Sequence, residues 1–228
     1  MIQIDDAGSG SFVGGTCIGA YRPETNEYYF DIIPVELYAK PVFKDKLYLD
    51  EVVSITARAF DALKVNRGET IEICRGYMFE KAKTWLDRNG YNWYCAHING
   101  RVQEIVEKNF ELYTIKLGLP IHYIKYTKYP FHFHKLLRWL YADYDSRIKL
   151  CKTGWQSWQK IEGIKPDIFE ASAATSHMFC LRCGRHINAG NRIRIIRYIS
   201  NKENYVIIHR DCLQSRRGPL VKGPLMHI

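Results

Sequence analysis

No stretch of the sequence approaches the roughly 18 apolar residues that a membrane-spanning helix needs, and no charged-then-apolar leader opens it. A membrane span and a secretory signal are therefore not expected, and the protein is expected in the cytoplasm with no membrane partner. No internal repeat or low-complexity tract is present. Cysteine is too sparse for a disulfide scaffold: seven in 228 residues, an odd number, which argues for reduced thiols. Gly8, Gly10, Gly14 and Gly15 cluster, but no helix follows them, so a nucleotide-binding phosphate cradle is excluded.

What is present is an ordinary foldable chain, 46% hydrophobic, 25% charged and 14% aromatic, with ample material for a core. The net charge of +9 is unevenly placed. From His177 to Ile228 ten Lys/Arg face two acids, so this tail carries +8 and the rest of the chain +1. Such asymmetry points to a polyanionic partner, with nucleic acid (DNA, RNA or hybrid) the first candidate. Arg192, Arg194, Arg197, Arg216 and Arg217 are the candidate phosphate contacts.

The first forty residues alternate as strands: Ile2–Asp5, Gly14–Tyr21 and Glu27–Leu37. Helical spacing then marks Val52, Val53, Ile55, Ala59, Phe60 and Leu63, ended by Asn66-Arg67-Gly68. Thr70–Cys74 reads as a strand, Met78–Leu86 as a helix, Asn92–Ile98 as a buried strand and Val102–Tyr113 as a helix. A last strand is expected at Ile121–Lys125 and a last helix from about His134 to Cys151. This order implies an α/β fold, a mixed sheet flanked by helices. It assigns residues 1–161 to one domain, 162–176 to a Gly/Pro/Ser linker and 177–228 to a second, small one.

That small domain carries Cys180-x2-Cys183 and, 25 residues on, His209-x2-Cys212. Each pair closes a small chelate turn, and together they make the tetrahedral Cys₃His shell of a structural Zn²⁺ site with no open position for catalysis. Gly184 suits the tight turn of a knuckle. A hairpin is expected at Ile193–Ile199 and Tyr205–Ile208, then a short helix from Asp211 to Arg217. Knuckle, hairpin and ligand-bearing helix start resemble a treble-clef zinc finger.

At the N-terminus, Asp5 and Asp6 end a strand and run into Ala7-Gly8-Ser9-Gly10-Ser11. Adjacent carboxylates repel, so a buried pair needs a cation or a shared proton. This segment resembles the D-E-A-G-R-G motif that opens type 2 ribonucleases H. The βββ-αβ order that follows is similar to that of the ribonuclease H-like superfamily, which includes Holliday-junction resolvases of the RuvC type. The resemblance implies a ribonuclease H-like fold and a two-metal nuclease in which Mg²⁺ or Mn²⁺ is held by a first-strand acid, a fourth-strand acid and an acid on a late helix. Those places fall to Asp5, with Asp6 beside it, to Glu72, and to Asp143 or Asp145. Ser9 stands where the motif has Arg and Asp6 where it has Glu; a Glu on the fourth strand with acids on a late helix is closer to the resolvases. Junction cutting would require a homodimer.

Two further clusters are weaker. His132-Phe133-His134 with His122 reads as an aromatic loop entering a helix. Tyr123, Tyr126, Tyr129, Phe131 and Phe133, interleaved with Lys125 and Lys128, suit base stacking or a core edge. A non-catalytic nucleic-acid-binding or scaffold protein is the rival to the nuclease, and a protein-docking role is the rival for the zinc module.

Overall fold

The computed structural model describes residues 1–124 and 129–212 and divides into two compact units, Met1–Gly118 with Leu150–Trp155, and Leu119–Lys149 with the chain from Gln156 on. In the first unit, strands β1 (Ile2–Ala7), β2 (Thr16–Arg22) and β3 (Glu27–Ile33) form an antiparallel meander. After the short α1 (Lys40–Phe43) and the long α2 (Leu47–Ala62) come β4 (Thr70–Cys74), α3 (Glu80–Arg88), β5 (Asn92–Ala96) and α4 (Arg101–Lys116). The sheet order is β3-β2-β1-β4-β5, with β1, β4 and β5 parallel. β1 is thus the strand where the antiparallel half meets the parallel half.

Both faces of this sheet are covered. Ile2 and Ile4 of β1 join Ile71 and Ile73 of β4 against the apolar stripe of α2, Val52, Ile55, Ala59 and Phe60, whose helical spacing the sequence shows. On the opposite face Val106 of α4 packs on Ala7 and Cys17. α2 stops where Lys64 turns left-handed (φ 51°) and the Val65 N–H reaches back to the Phe60 carbonyl at 2.9 Å, a capping pattern that satisfies end carbonyls.

The second unit contains α5 (Tyr129–Ala142), α6 (Tyr144–Arg147), β6 (Asp167–Ser172), the two-residue strands β7 (Met178–Phe179) and β8 (His186–Ile187), and the hairpin β9 (Arg192–Ile199) with β10 (Glu203–His209). β10-β9-β6 is an antiparallel sheet, and α5 packs on it with Tyr141 stacked on Tyr198, ring centroids 4.3 Å apart.

Several expectations are corrected. β5 is an edge strand and not a buried one, because the sheet ends there; Tyr94 is exposed. Ile121–Tyr123 is a 3₁₀ turn after Pro120, not a strand: a brief alternation reads equally as one tight turn. The last helix breaks at Asp143, whose backbone (φ −157°, ψ 63°) is not helical. Residues 162–176 are no linker, since β6 lies within them and pairs with β9 through six residues. The boundary at 161 gives way as well, because Leu150–Trp155 returns to the first unit: Gly14 N–H bonds the Leu150 carbonyl and Lys152 N–H the Phe12 carbonyl, both at 2.8 Å.

Among the described residues no helix is long and apolar enough to cross a membrane.

Candidate metal sites

Asp5 and Asp6 occupy the C-terminal end of β1, and the parallel register that sets Ile4 beside Ile73 brings Cys74 beside Asp5. Ligand atoms of Asp5, Asp6 and Cys74 all lie within 4.8 Å of one another. Burial pushes the Asp5 carboxyl up to about 6, with the charges of Asp6 and of Glu107 on α4 adding to it and hydrogen bonds from the Asp6 backbone and the Cys74 thiol opposing. Burial also raises Asp6, against hydrogen bonds from Ser9 and the charge of Lys152. The same cause lifts the Cys74 thiol to about 11. Each group is thus costly to ionise unless a cation arrives.

The loop that follows is built close. Gly8 has φ +86°, and a Cβ there would run into the Phe110 ring at 2.2 Å, so only glycine fits. Gly76, after β4, leaves open the space that a Cβ would fill, 3.9 Å from Asp6 Oδ1 and 4.0 Å from Cys74 Sγ. Asp6 Oδ2 is buried and accepts no hydrogen bond among the described residues. An orphaned buried oxygen, a second carboxylate and a thiol around open space fit a divalent cation, with Asp5, Asp6 and Cys74 as the residues to hold it.

Lys152, like Cys74, is a residue of this site that sequence reading missed. It is 0% exposed, donates to the Gly8 carbonyl at 2.6 Å and Thr16 Oγ1 at 3.1 Å, and lies over the Tyr38 ring. Burial pulls its pKa down to about 7, opposed by the Asp6 charge. Because the folded value lies below the unfolded 10.5, stability is reduced in full below pH 7 and recovers as pH rises toward 10.5. Lys152→Met abolishes that dependence. The stability of the variant relative to wild type is expected to fall by on the order of 4 kcal/mol from pH 6 to pH 10, a drift that denaturant titrations across this range measure. A pH-invariant difference would remove Lys152 from this role.

Glu72 shares the sheet face of Gln3, which donates to it at 2.8 Å, and it accepts a second bond from Tyr94. Asp143 lies in the second unit, 3.2 Å from the Arg182 guanidinium, and Asp145 in the first turn of α6. Glu107, exposed on α4, is the unforeseen acid whose charge reaches Asp5. It sits one residue after the Val106 that marks the helix's apolar stripe, which was the available signal.

In the second unit Cys180, Cys183, His209 and Cys212 converge, their ligand atoms within 4.8 Å of one another. Cys180 Sγ and Cys212 Sγ are 3.9 Å apart, and His209 Nδ1 is 3.5 Å from Cys183 Sγ and 3.9 Å from Cys212 Sγ. A tetrahedral ion with Zn–S bonds of about 2.3 Å has edges of about 3.8 Å, so the quartet fits zinc. The knuckle closes through the Cys180 N–H on the Arg185 carbonyl, with Gly184 left-handed at φ +73°. His209 Nε2 lies 3.1 Å from the His186 carbonyl; as the donor there it leaves Nδ1 as the ligand atom. His186 therefore contributes its carbonyl and not its ring to the site. Cys212 is pushed up to about 12 by burial and then by Cys180. Cys183 falls to about 6, because hydrogen bonds from Arg185, Cys180 and His209 outweigh its burial. Three thiolates need a cation to coexist.

The knuckle is tied into its unit by Arg147, which donates to the Trp139, Leu181 and Arg182 carbonyls at 2.6, 3.2 and 3.1 Å. Of the candidate phosphate contacts, Arg194 pairs with Glu170 at 3.1 Å, and Arg197 with Asp167 at 2.6 Å and Glu203 at 3.4 Å. Arg192 is exposed. Arg216, Arg217, Lys125, Tyr126 and Lys128 lie outside the described residues, as do the side chains of His122, Tyr129, Phe131 and His132. The helix expected at 211–217 is a 3₁₀ turn, Arg210–Cys212, as far as the described residues reach. Compared with known proteins, no protein-family model and no curated protein matches this chain.

Proposed function

We propose that the protein is a divalent-metal-dependent nuclease with a ribonuclease H-like first unit, which binds nucleic acid with the help of its zinc module. The observation that carries this reading is the Asp5–Asp6 pair, one buried and one half-buried, at the C-terminal end of β1. In open α/β sheets ligands bind beyond the carboxyl ends of the strands where the strand order switches, and β1 is that strand here. A cation bound there would supply an activated water and charge neutralisation for phosphodiester hydrolysis. The protein's own part is to hold it: Asp5 and Asp6 as ligands, Lys152 fixing the Gly8 loop beside them. The +8 of residues 177–228 supports the choice of substrate class.

The test incubates the purified protein with labelled duplexes, RNA–DNA hybrids and four-way junctions in Mg²⁺ or Mn²⁺. Metal-dependent cleavage of one class is expected, and no cleavage of any would reject the reading. One observation favours a non-catalytic nucleic-acid-binding protein instead: the expected fourth-strand acid, Glu72, is engaged by Gln3 and Tyr94. Salt-sensitive binding without cleavage would select it.

A further inference from the structure

The geometry points to a cation site selected by sulfur: we infer that Cys74 is a ligand alongside Asp5 and Asp6, so that this centre prefers a borderline divalent ion such as Co²⁺ or Zn²⁺ to Mg²⁺. The inference rests on the reading of Asp5 and Asp6 as metal-holding residues and adds the identity of the metal. Three observations carry it. Parallel pairing of β1 with β4 puts Cys74 at the position beside Asp5, while Glu72 lies two residues earlier and is held by Gln3. Cys74 Sγ is within 4.8 Å of an oxygen of each aspartate. Asp6 Oδ2 is buried without a hydrogen bond, and the bare Gly76 leaves room beside Asp6 Oδ1 and Cys74 Sγ.

Ligand softness does the selecting. Mg²⁺ takes oxygen and dehydrates reluctantly, whereas thiolate sulfur favours later and softer ions, and a cation in contact deprotonates the thiol outright. One sulfur among oxygens therefore weakens Mg²⁺ and strengthens Co²⁺ or Zn²⁺. This centre is distinct from the Cys₃His quartet, which has four protein ligands of its own.

The experiment uses the full chain with the Cys₃His site filled, zinc content being followed throughout, and titrates Co²⁺. Wild type is expected to gain one equivalent of a thiolate-to-cobalt charge-transfer band without losing zinc. Cys74→Ser should lose the band, keep its zinc and melting temperature, and bind Co²⁺ at least about tenfold more weakly, since even outer-shell changes cost about that much. Cys74→Asp should lose the band and shift the Co²⁺/Mg²⁺ affinity ratio toward Mg²⁺. Absence of the band in wild type, or its persistence in Cys74→Ser, overturns the inference. The two readings fail separately. A band with no cleavage of any substrate keeps the sulfur ligand and rejects the nuclease, while metal-dependent cleavage by a wild-type protein that shows no cobalt band does the reverse.

Discussion

Replacing Asp5 by Asn should make the metal-free protein more stable and inactive at once. Asp5 is 7% exposed, and its carboxyl is raised from 3.8 to about 6. With the folded value above the unfolded one, its favourable contribution is whole below about pH 4 and is lost as pH rises through 6. At pH 7 the ionised side chain therefore costs roughly 3 kcal/mol, which an amide of the same shape avoids. For a chain of this size that is a rise of roughly 6–10 °C in melting temperature. The gain should vanish at pH 4, where wild-type Asp5 is protonated. It should also shrink when divalent metal is added, because only the carboxylate is rescued by a cation. Cleavage of any substrate found in Mg²⁺ or Mn²⁺ should fall by about a thousandfold or more, the metal having lost an anionic ligand. Calorimetry of both proteins from pH 4 to 8, with and without metal, measures the stability half. Equal melting temperatures at pH 7 without metal would mean that Asp5 bears no burial cost and is no stored ligand.

The second large effect lies at the zinc quartet. Cys180 is buried, its Sγ accepts the His209 N–H at 3.4 Å, and its own backbone closes the knuckle. Zinc binding to sites of this kind is worth about 10 kcal/mol or more and is also folding energy, because no such site exists in the unfolded chain. Cys180→Ser should therefore reduce bound zinc from one per chain to none and unfold β7 and β8. It should also release the Arg147 and Asp143 ties to Leu181 and Arg182. The Tyr141–Tyr198 stack gives a near-ultraviolet dichroism signal whose loss reports how far the damage spreads. The first unit has its own core and should melt as a separate transition. Metal analysis with two-wavelength melting decides it: a variant that melts as wild type and still binds zinc would show that the quartet is not the ligand set. A second variant, Cys183→Ser at an exposed position, separates loss of metal from loss of a buried group.

What could be read without coordinates is what neighbours along the chain determine. The stripe of α2, the knuckle Cys180–Gly184 and the β9–β10 hairpin each close within a turn or two, so spacing alone specifies them. Asp5 and Asp6 show themselves because two adjacent carboxylates at a strand end are anomalous wherever they fall. The partners of those acids were hidden for the opposite reason. Cys74 reaches Asp5 only through the register of two parallel strands, and one residue of slip would exchange it for the residue on the other face. Glu72 looks available in an alternating strand until Gln3 and Tyr94 claim it. Lys152 sits in a polar, turn-like stretch where a lysine ordinarily faces water, and only the return of Leu150–Trp155 into the first unit buries it against Gly8 and Thr16. β6 was concealed by the composition of its flanks, and its acids neutralise arginines that charge counting had assigned to phosphate. Local geometry is encoded by local spacing, whereas register, burial and charge pairing are set by residues tens of positions apart, and these decided which side chains the two candidate metal sites bring together.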